Sequence, residues 1–547
     1  MIATKPRVRV RAGTTLLPAM PDVARMTALP RYKSAYMQGG RNPFLMDWMP
    51  MLRNADTDTK AAYMFAASRA IETIQNSGWI AGAIDQAVAN TVGQGLRLAA
   101  MPDATALKWT QDQAQQWSRD VERRWDSWAG RPQECDILGQ SSIGKMTGAS
   151  MRSFFAYGEI TAAMPYIKRD FAQYGSKVQM IEPHRLIQQS NNIDMFQGIQ
   201  CDAVGYPLSY RIREEFGLKA GTFRDIPPRD PYGRPQFIHV FDGPTGARRG
   251  IPPITPALKV VRQFDQLSDA TLTAALIQAI FAATVKSPDP TEVALQAFQD
   301  FAEQAISKPG TAQPSALEAM MQGRAGWYDG AQISLGSHGK IAHLAPGDEL
   351  TFHASQHPND TYEAFVKYLL REIARCLGIT FETLTGDYSG ATYSSVRMAT
   401  SEIWALVIYR RANILTPYLN PIYEAWLEED IERGWTPFPG GIDGFLANRA
   451  AATRCHWRGP AKPQADDAKF AQAVSALMGL GVITAEWVCA EMGEDWMATM
   501  DQLAREMAYR KMRGLPDPVF KPGVTADAAN APAEIAAQPT PAPAGGR

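Results

Sequence analysis

The sequence lacks most of the features that announce a chemistry directly. It has only five cysteines, Cys135, Cys201, Cys376, Cys455 and Cys489. They are far apart and odd in number, and no C-x-x-C pair exists, so neither a zinc knuckle nor a dithiol redox motif is available. Scattered reduced thiols in a cytoplasmic protein fit that usage. No stretch reaches the roughly 20 apolar residues of a membrane span. The most apolar stretch, 270–285, is interrupted by Thr271, Thr273 and Gln278 and reads as a helix packed against protein. Lys5, Arg7, Arg9 and Arg11 are followed by no apolar h-region, so no secretory signal is expected.

A surplus of positive charge is also missing. The 547 residues carry a net charge of −1. A protein that grips nucleic acid by its phosphates is ordinarily basic. This one either avoids nucleic acid or touches it without holding on.

Catalytic and metal motifs are equally scarce. His353 and His357 are four apart, but Pro358 follows at once and no glutamate follows His353, so a zincin helix is excluded. His338 and His343 flank a predicted strand turn and read as unliganded. Asp56 and Asp58 lack the glycine and glutamate of a calcium loop. No G-x-S-x-G elbow occurs, and no acidic cluster suits two-metal chemistry. No metal and no cofactor are expected. Gly139-Gln140-Ser141-Ser142-Ile143-Gly144-Lys145 has the spacing of a phosphate-binding loop, but Met146 stands where Ser or Thr should bind Mg²⁺. Residues 134–138 do not read as a buried strand before it. That near-match keeps a nucleotide-using enzyme open as a competing reading. Gly93-Gln94-Gly95 lacks the third glycine of a dinucleotide loop, because Leu98 stands there.

What is present is a large core: 45% of the residues are apolar. The pattern is α+β, helices first and then mostly antiparallel strands. Residues 1–50 read as a flexible arm. Residues 60–92 read as helical, with a turn at Asn76-Ser77-Gly78. A second helix runs over 110–128, with Trp117, Val121, Trp125 and Trp128 on one stripe. Strands are expected near 159–161, 177–181, 199–204 and 210–212. A long helix spans 256–285, about 45 Å at 1.5 Å per residue. Its expected buried stripe is Leu258, Val261, Phe264, Leu267, Leu272, Leu276 and Ile280. A short helix over 293–306 follows, then strand signals at 332–335, 340–344 and 349–352. A second long helix is opened by Asp360 and Glu363 and closed by Gly378, with Phe365, Leu369 and Ile373 on one side. A polar loop, 386–394, joins it to a third long helix over 396–433, which Pro417 and Pro421 should bend. Residues 440–460 read as irregular and 464–513 as helical. The Ala- and Pro-rich tail from 516 reads as disordered.

Several phrases of the sequence resemble the lambda-type portal family of tailed bacteriophages. They are Asn76-Ser77-Gly78-Trp79-Ile80-Ala81, Phe237-Ile238-His239-Val240-Phe241 and Arg249-Gly250-Ile251-Pro252. Further along come His343-Leu344-Ala345-Pro346-Gly347-Asp348, Leu377-Gly378-Ile379 and Tyr393-Ser394-Ser395-Val396-Arg397. Last are Arg410-Arg411 and Trp426-Leu427-Glu428-Glu429. They stand in one order over about 60–510.

The resemblance implies a portal fold of wing, stem, clip and crown, with long helices around an axial channel. It implies a wing over 51–255, a stem helix over 256–285, a clip over 286–352 and a second stem helix over 353–378. The tunnel-loop region would be 379–395, the long bent helix and wing return 396–461, the crown 462–513 and the tail 514–547. It implies a ring, usually a dodecamer, at one capsid vertex of the virion, assembled in the host cytoplasm. The implied partners are the terminase large subunit, major capsid and scaffold proteins, head-completion and tail adaptor proteins, and double-stranded DNA passing through. No membrane is involved, and ATP hydrolysis belongs to the terminase, so the chain itself is not expected to be an enzyme. The DNA-facing loop would be Gly386, Asp387, Tyr388, Ser389, Gly390, Ala391, Thr392, Tyr393 and Ser394. A different helical capsid adaptor stays open as an alternative.

Overall fold

The computed structural model describes residues 51–186, 195–215, 220–280, 283–286, 332–334, 340–342, 349–352, 362–463 and 467–516. The arm, the helix expected over 293–306, the Asp360 cap, His338, His343, His353, His357 and the tail beyond 516 lie outside them.

Helices α1 (Ala55–Asn76) and α2 (Gly78–Val92) are separated at Ser77, as the Asn-Ser-Gly turn predicts. β1 (Arg97–Ala100) and the one-turn α3 (Ala104–Leu107) lead to α4 (Gln111–Ala129). Thr110 and Gln113 close a capping box on α4. Its Trp stripe forms the aromatic centre of the core: Trp125 meets Trp128, Tyr423, Trp426 and Trp457 at centroid distances of 5.1, 5.8, 5.3 and 5.6 Å. The short α5 (Pro132–Cys135) precedes α6 (Ile143–Tyr157), a helix where the sequence suggested only a glycine loop.

Two antiparallel sheets follow. β2 (Glu159–Ala163) lies between β3 (Gln179–Ile181) and β8 (Phe237–Phe241), with Thr161 opposite both Ile181 and His239. β4 (Met195–Phe196), β5 (Ile199–Cys201), β6 (Pro207–Arg213) and β7 (Phe223–Ile226) form a meander in chain order. The four expected runs recur as β2, β3, β5 and β6, because alternation and Gly/Pro turns are strong local signals, but β5 ends at Cys201 rather than 204 and β4, β7 and β8 lie outside the expected runs.

The long helix α7 (Leu258–Ile280) stops short of the predicted end. Residues Ala283–Lys286 form strand β9 instead, paired antiparallel with β12 (Glu349–Phe352), so that Val285 lies opposite Leu350. The helical pattern ran on because apolar spacing cannot separate a helix end from a short strand; the β-branched Thr284-Val285 was the better cue. Leu272, expected in the buried stripe, is 61% exposed. Between β9 and β12, β10 (Gln332–Ser334) and β11 (Lys340–Ala342) make a further antiparallel pair.

Helix α8 (Tyr362–Leu377) packs against α7 and α2. Gly378 ends it in the left-handed region at φ 72°, its N–H donating to Ala374 O at 2.9 Å. Leu369 and Ile373 are buried, but Phe365 on the same stripe is 53% exposed. After α9 (Phe381–Thr385) comes α10 (Tyr393–Arg410), which begins three residues earlier than predicted because Thr392 and Ser395 form a capping box. Residues Arg411–Leu415 are π-helical, and α11 (Thr416–Glu432) continues. Pro417 cannot donate a backbone hydrogen bond. The Thr416 N–H and hydroxyl both turn back to Arg411 O, and the extra residue is absorbed there.

The stretch expected to be irregular holds α12 (Gly441–Ala447), α13 (Arg449–Ala452) and β13 (Cys455–Arg458). β13 pairs with β1 far back in the chain, Leu98 opposite Trp457. Only that long-range pairing makes it a strand, so local pattern could not show it. The terminal helices α14 (Asp467–Gly479), α15 (Ala485–Glu491) and α16 (Trp496–Met512) match the expectation for 464–513.

Candidate functional site

The loop singled out from sequence runs from the end of α9 to the start of α10. Gly386 closes α9 at φ 68°, its N–H donating to Glu382 O at 2.7 Å. Asp387 accepts from the Ser389 N–H at 3.0 Å and its hydroxyl at 2.6 Å. The Ala391 N–H donates to Tyr388 O at 3.0 Å. Thr392 then accepts from the Ser395 N–H at 3.2 Å. These bonds pin both ends, and the exposed residues are Gly386, Tyr388, Ser389, Gly390 and Thr392. Tyr393 and Ser394 belong to the first turn of α10 rather than to the loop. The side chain of Tyr393 lies outside what the structure describes.

Sequence reading missed the base at this site. Lys367 on α8 stands 3.7 Å from Asp387 and 2.6 Å from Glu363. Ser389 first, then Lys367, hold the Asp387 carboxyl below its ordinary range. Lys367 is shared between the two carboxylates, so the trio keeps a net negative charge and the loop offers no free base. Lys367, Arg371 and Arg375 recur every fourth residue on α8, the one signal that could have found this stripe. Arg371 lies over the Phe381 ring at 5.1 Å, and Arg375 pairs with Glu402 at 3.7 Å. Tyr388 also lines a cleft of about 370 Å³ with Ile379, Val396, Ile403 and Pro463.

The near phosphate-binding loop is accounted for differently. Buried Asp136 accepts from the backbone N–H groups of Leu138, Gln140 and Ser141 at 3.1, 2.9 and 3.0 Å. Ser142 caps α6 by accepting from Lys145 N. The amides that would cradle a phosphate already hold a carboxylate of the chain itself. Gly144 is there for close packing: a Cβ on it would stand 2.8 Å from Gln94 O, and one on Gly95 would stand 3.0 Å from Gly144 Cα. The two glycine decoys are a single helix-to-turn contact.

The remaining motif residues weld elements together. Arg249 and Glu159 are both fully buried and paired. Glu159 also accepts from Tyr63 Oη at 2.7 Å and lies 2.9 Å from His239 Nε2. Burial pushes its carboxyl up, but the Arg249 charge and the hydrogen bonds from Arg249 and His239 hold it at about 2. Arg249 further donates to Gln197 O and Pro183 O at 3.0 and 2.9 Å. Glu429 accepts from the N–H groups of Gly175 and Ser176, both at 2.8 Å, and Tyr174 Oη donates to Asp430 at 2.7 Å. Arg410 donates to Leu377 O at 2.9 Å and lies 4.9 Å over Phe155. Arg411 donates to Thr91 O, Asn90 O and Pro460 O. Burial pushes both guanidinium groups down to about 10. Among the described residues no three His, Cys, Asp or Glu side chains group as metal ligands, and no helix is long and apolar enough to cross a membrane.

The family model for the lambda-family phage portal protein matches residues 41–411. The chain belongs to the lambda family of phage portal proteins. It is 29% identical over 497 residues to the portal protein of Escherichia phage N15, covering 88% of this chain and 91% of that protein. It is 28% identical over 520 residues to portal protein B of Escherichia phage lambda, covering 93% and 95%. Among solved structures it is similar to a chain from the neck of an empty GTA particle computed with C6 symmetry. That match covers 86% of this chain and 95% of the other, at 11% identity and a TM-score of 0.42, which transfers no assembly geometry. Portal function follows from the membership, and the portal family is structural rather than enzymatic. The membership favours that function over the adaptor and nucleotide-enzyme readings.

Proposed function

We propose that this portal-family chain works as one subunit of a closed ring of about twelve copies at a capsid vertex. Double-stranded DNA passes inward through the ring during packaging and outward at infection. The observation that carries the ring is the apolar surface left uncovered on the long helices. Leu272 on α7, Phe365 and Tyr368 on α8 and Met398 on α10 are all exposed in the single chain. In a heterologous ring such side chains meet a different surface of the next copy.

The α7 and α8 helices form the stem. The pairing of β9 with β12 supports a clip that leaves the stem through a two-stranded neck. That clip docks the terminase large subunit during packaging and head-completion or tail adaptor proteins afterwards, while the wing meets major capsid and scaffold proteins. Helices α14, α15 and α16 form the crown. The loop from Gly386 to Thr392 approaches DNA. Its lack of a free base suits passage, because each phosphate held by a free Lys or Arg must be released at every step. The ring assembles in the host cytoplasm and ends in the virion.

Sedimentation of the purified chain at micromolar concentration, over a range of salt, tests the reading. A single ring-sized species is expected. A chain that stays monomeric under all those conditions would contradict it.

A further inference from the structure

An aromatic groove lies beside α4. It is lined by Trp109, Trp117, Pro437, Phe438 and Pro439, with Lys108 at its rim. The Trp109 ring lies 5.3 Å from Trp117 and 5.5 Å from Phe438. Trp117 is committed, since its indole N–H donates to Pro437 O at 3.2 Å. Trp109 is half-buried, and its indole N–H makes no hydrogen bond with the described residues. Pro437 and Pro439 are exposed.

This is the chemistry that a polyproline-type segment requires. Such a segment has no internal hydrogen bonds, so its carbonyls are free to accept from an indole N–H. Its prolines lie flat against aromatic walls at little entropic cost.

The sequence contains such a segment, Gln538-Pro539-Thr540-Pro541-Ala542-Pro543-Ala544. The described chain ends at Pro516, just past α16. The first turns of α16 are tied to α4: Arg119 donates to Met497 Sδ at 3.3 Å and stands 3.6 Å from Asp501. From Met497 and Asp501 α16 runs on to Met512, which puts its far end about 20 Å from that tie. A chain as long as that between Pro516 and Gln538 reaches roughly 25 Å even as a coil. The length suffices to bring the proline segment back to α4.

We propose that the proline-rich segment 538–544 of this chain docks in the Trp109–Phe438 groove. Other occupants are a surface of a second copy or a proline-rich segment of another protein.

The test uses the full chain with p-benzoylphenylalanine in place of Ala542. After irradiation and trypsin digestion, the cross-link should fall in peptide 109–119 or 434–449. A synthetic peptide of residues 536–547 should bind saturably to a chain ending at residue 530. It should bind the full chain about tenfold more weakly, because the tethered segment is present at about millimolar effective concentration. Replacing Pro539, Pro541 and Pro543 by Ala in the peptide should abolish binding. Trp109→Phe keeps the ring stack, removes the indole donor and should weaken binding several-fold with an unchanged circular dichroism spectrum. A cross-link confined to other surfaces would overturn the proposal, as would equal peptide binding by the two chains, or no cross-link together with no binding.

Discussion

Arg249 and Glu159 face each other with no solvent exposure on either side chain. The pair joins β2 to the segment after β8, while Tyr63 brings in α1 and His239 brings in β8. Gly158 and Gly250 make this possible: a Cβ on Gly250 would stand 2.0 Å from Gly158 O. Removing one charge strands the other in a dry site. Arg249→Met is expected to destabilise the chain by about 3–5 kcal/mol, and the double variant with Glu159→Leu by less. Denaturant melts of the two variants check this.

The same pair sets an acid limit. The Glu159 carboxyl is held at about 2 in the fold against an ordinary value of 4.5. A depressed carboxyl contributes stability that is full above its unfolded value and lost as pH falls through the folded one. Stability should therefore drop between pH 4.5 and 2, and less steeply in Glu159→Gln at its lower baseline. Melts over that range provide the measurement.

Glu122 behaves in the opposite sense. Burial, opposed by its hydrogen bond from the Ala100 N–H and reinforced by Asp495, raises its carboxyl from 4.5 to about 7. A raised value gives stability that is full below 4.5 and lost as pH climbs through 7. Glu122→Gln keeps an acceptor for the Ala100 N–H, 2.7 Å away. It should stabilise the chain by about 1–2 kcal/mol at pH 8 and change little at pH 4. Melting temperatures at the two pH values check the sign.

The loop at 139–145 should carry no nucleotide. Lys145→Ala is expected to leave stability within about 0.5 kcal/mol and to give no ATP-dependent change in melting. Asp136→Ala leaves three loop amides without their acceptor and should cost about 1–3 kcal/mol. An ATP-dependent rise in melting that Lys145→Ala abolishes would restore the nucleotide reading.

Much of the fold could be read locally. Asn76-Ser77-Gly78 divides α1 from α2, Thr110 caps α4 and Gly378 ends α8, because caps and turns depend on a few adjacent residues. The Trp stripe of α4 is core, as its spacing implies. What stayed hidden depends on distant partners. Trp457 is a strand residue only because Leu98 lies opposite, and at Val285 the short β-branched cue was outweighed by the helical spacing until Leu350 is seen opposite. At the candidate site, Asp387 was visible but Lys367, which it shares with Glu363, was not. The exposed Leu272 and Phe365 repeat as buried residues would, and only the fold shows that one chain does not cover them.

Those side chains give a direct test of subunit contact. Leu272→Asp should leave the circular dichroism spectrum unchanged, since the position is exposed in the single chain. It should reduce ring formation strongly by putting a charge into an apolar contact. Sedimentation of the variant beside the parent checks it.

Replacing 388–391 by Gly and Ser, with Asp387 and Thr392 retained to hold the ends, separates the loop from assembly. Rings should form as before, while DNA packaging or retention falls. Loss of the ring would show that the loop belongs to a subunit contact instead.

The channel is the feature on which the proposed function depends. Electron microscopy of the purified oligomer should show a closed ring of about twelve subunits with an axial opening lined by residues 386–392. A solid or open assembly, or a ring with that loop on its outer surface, would contradict it.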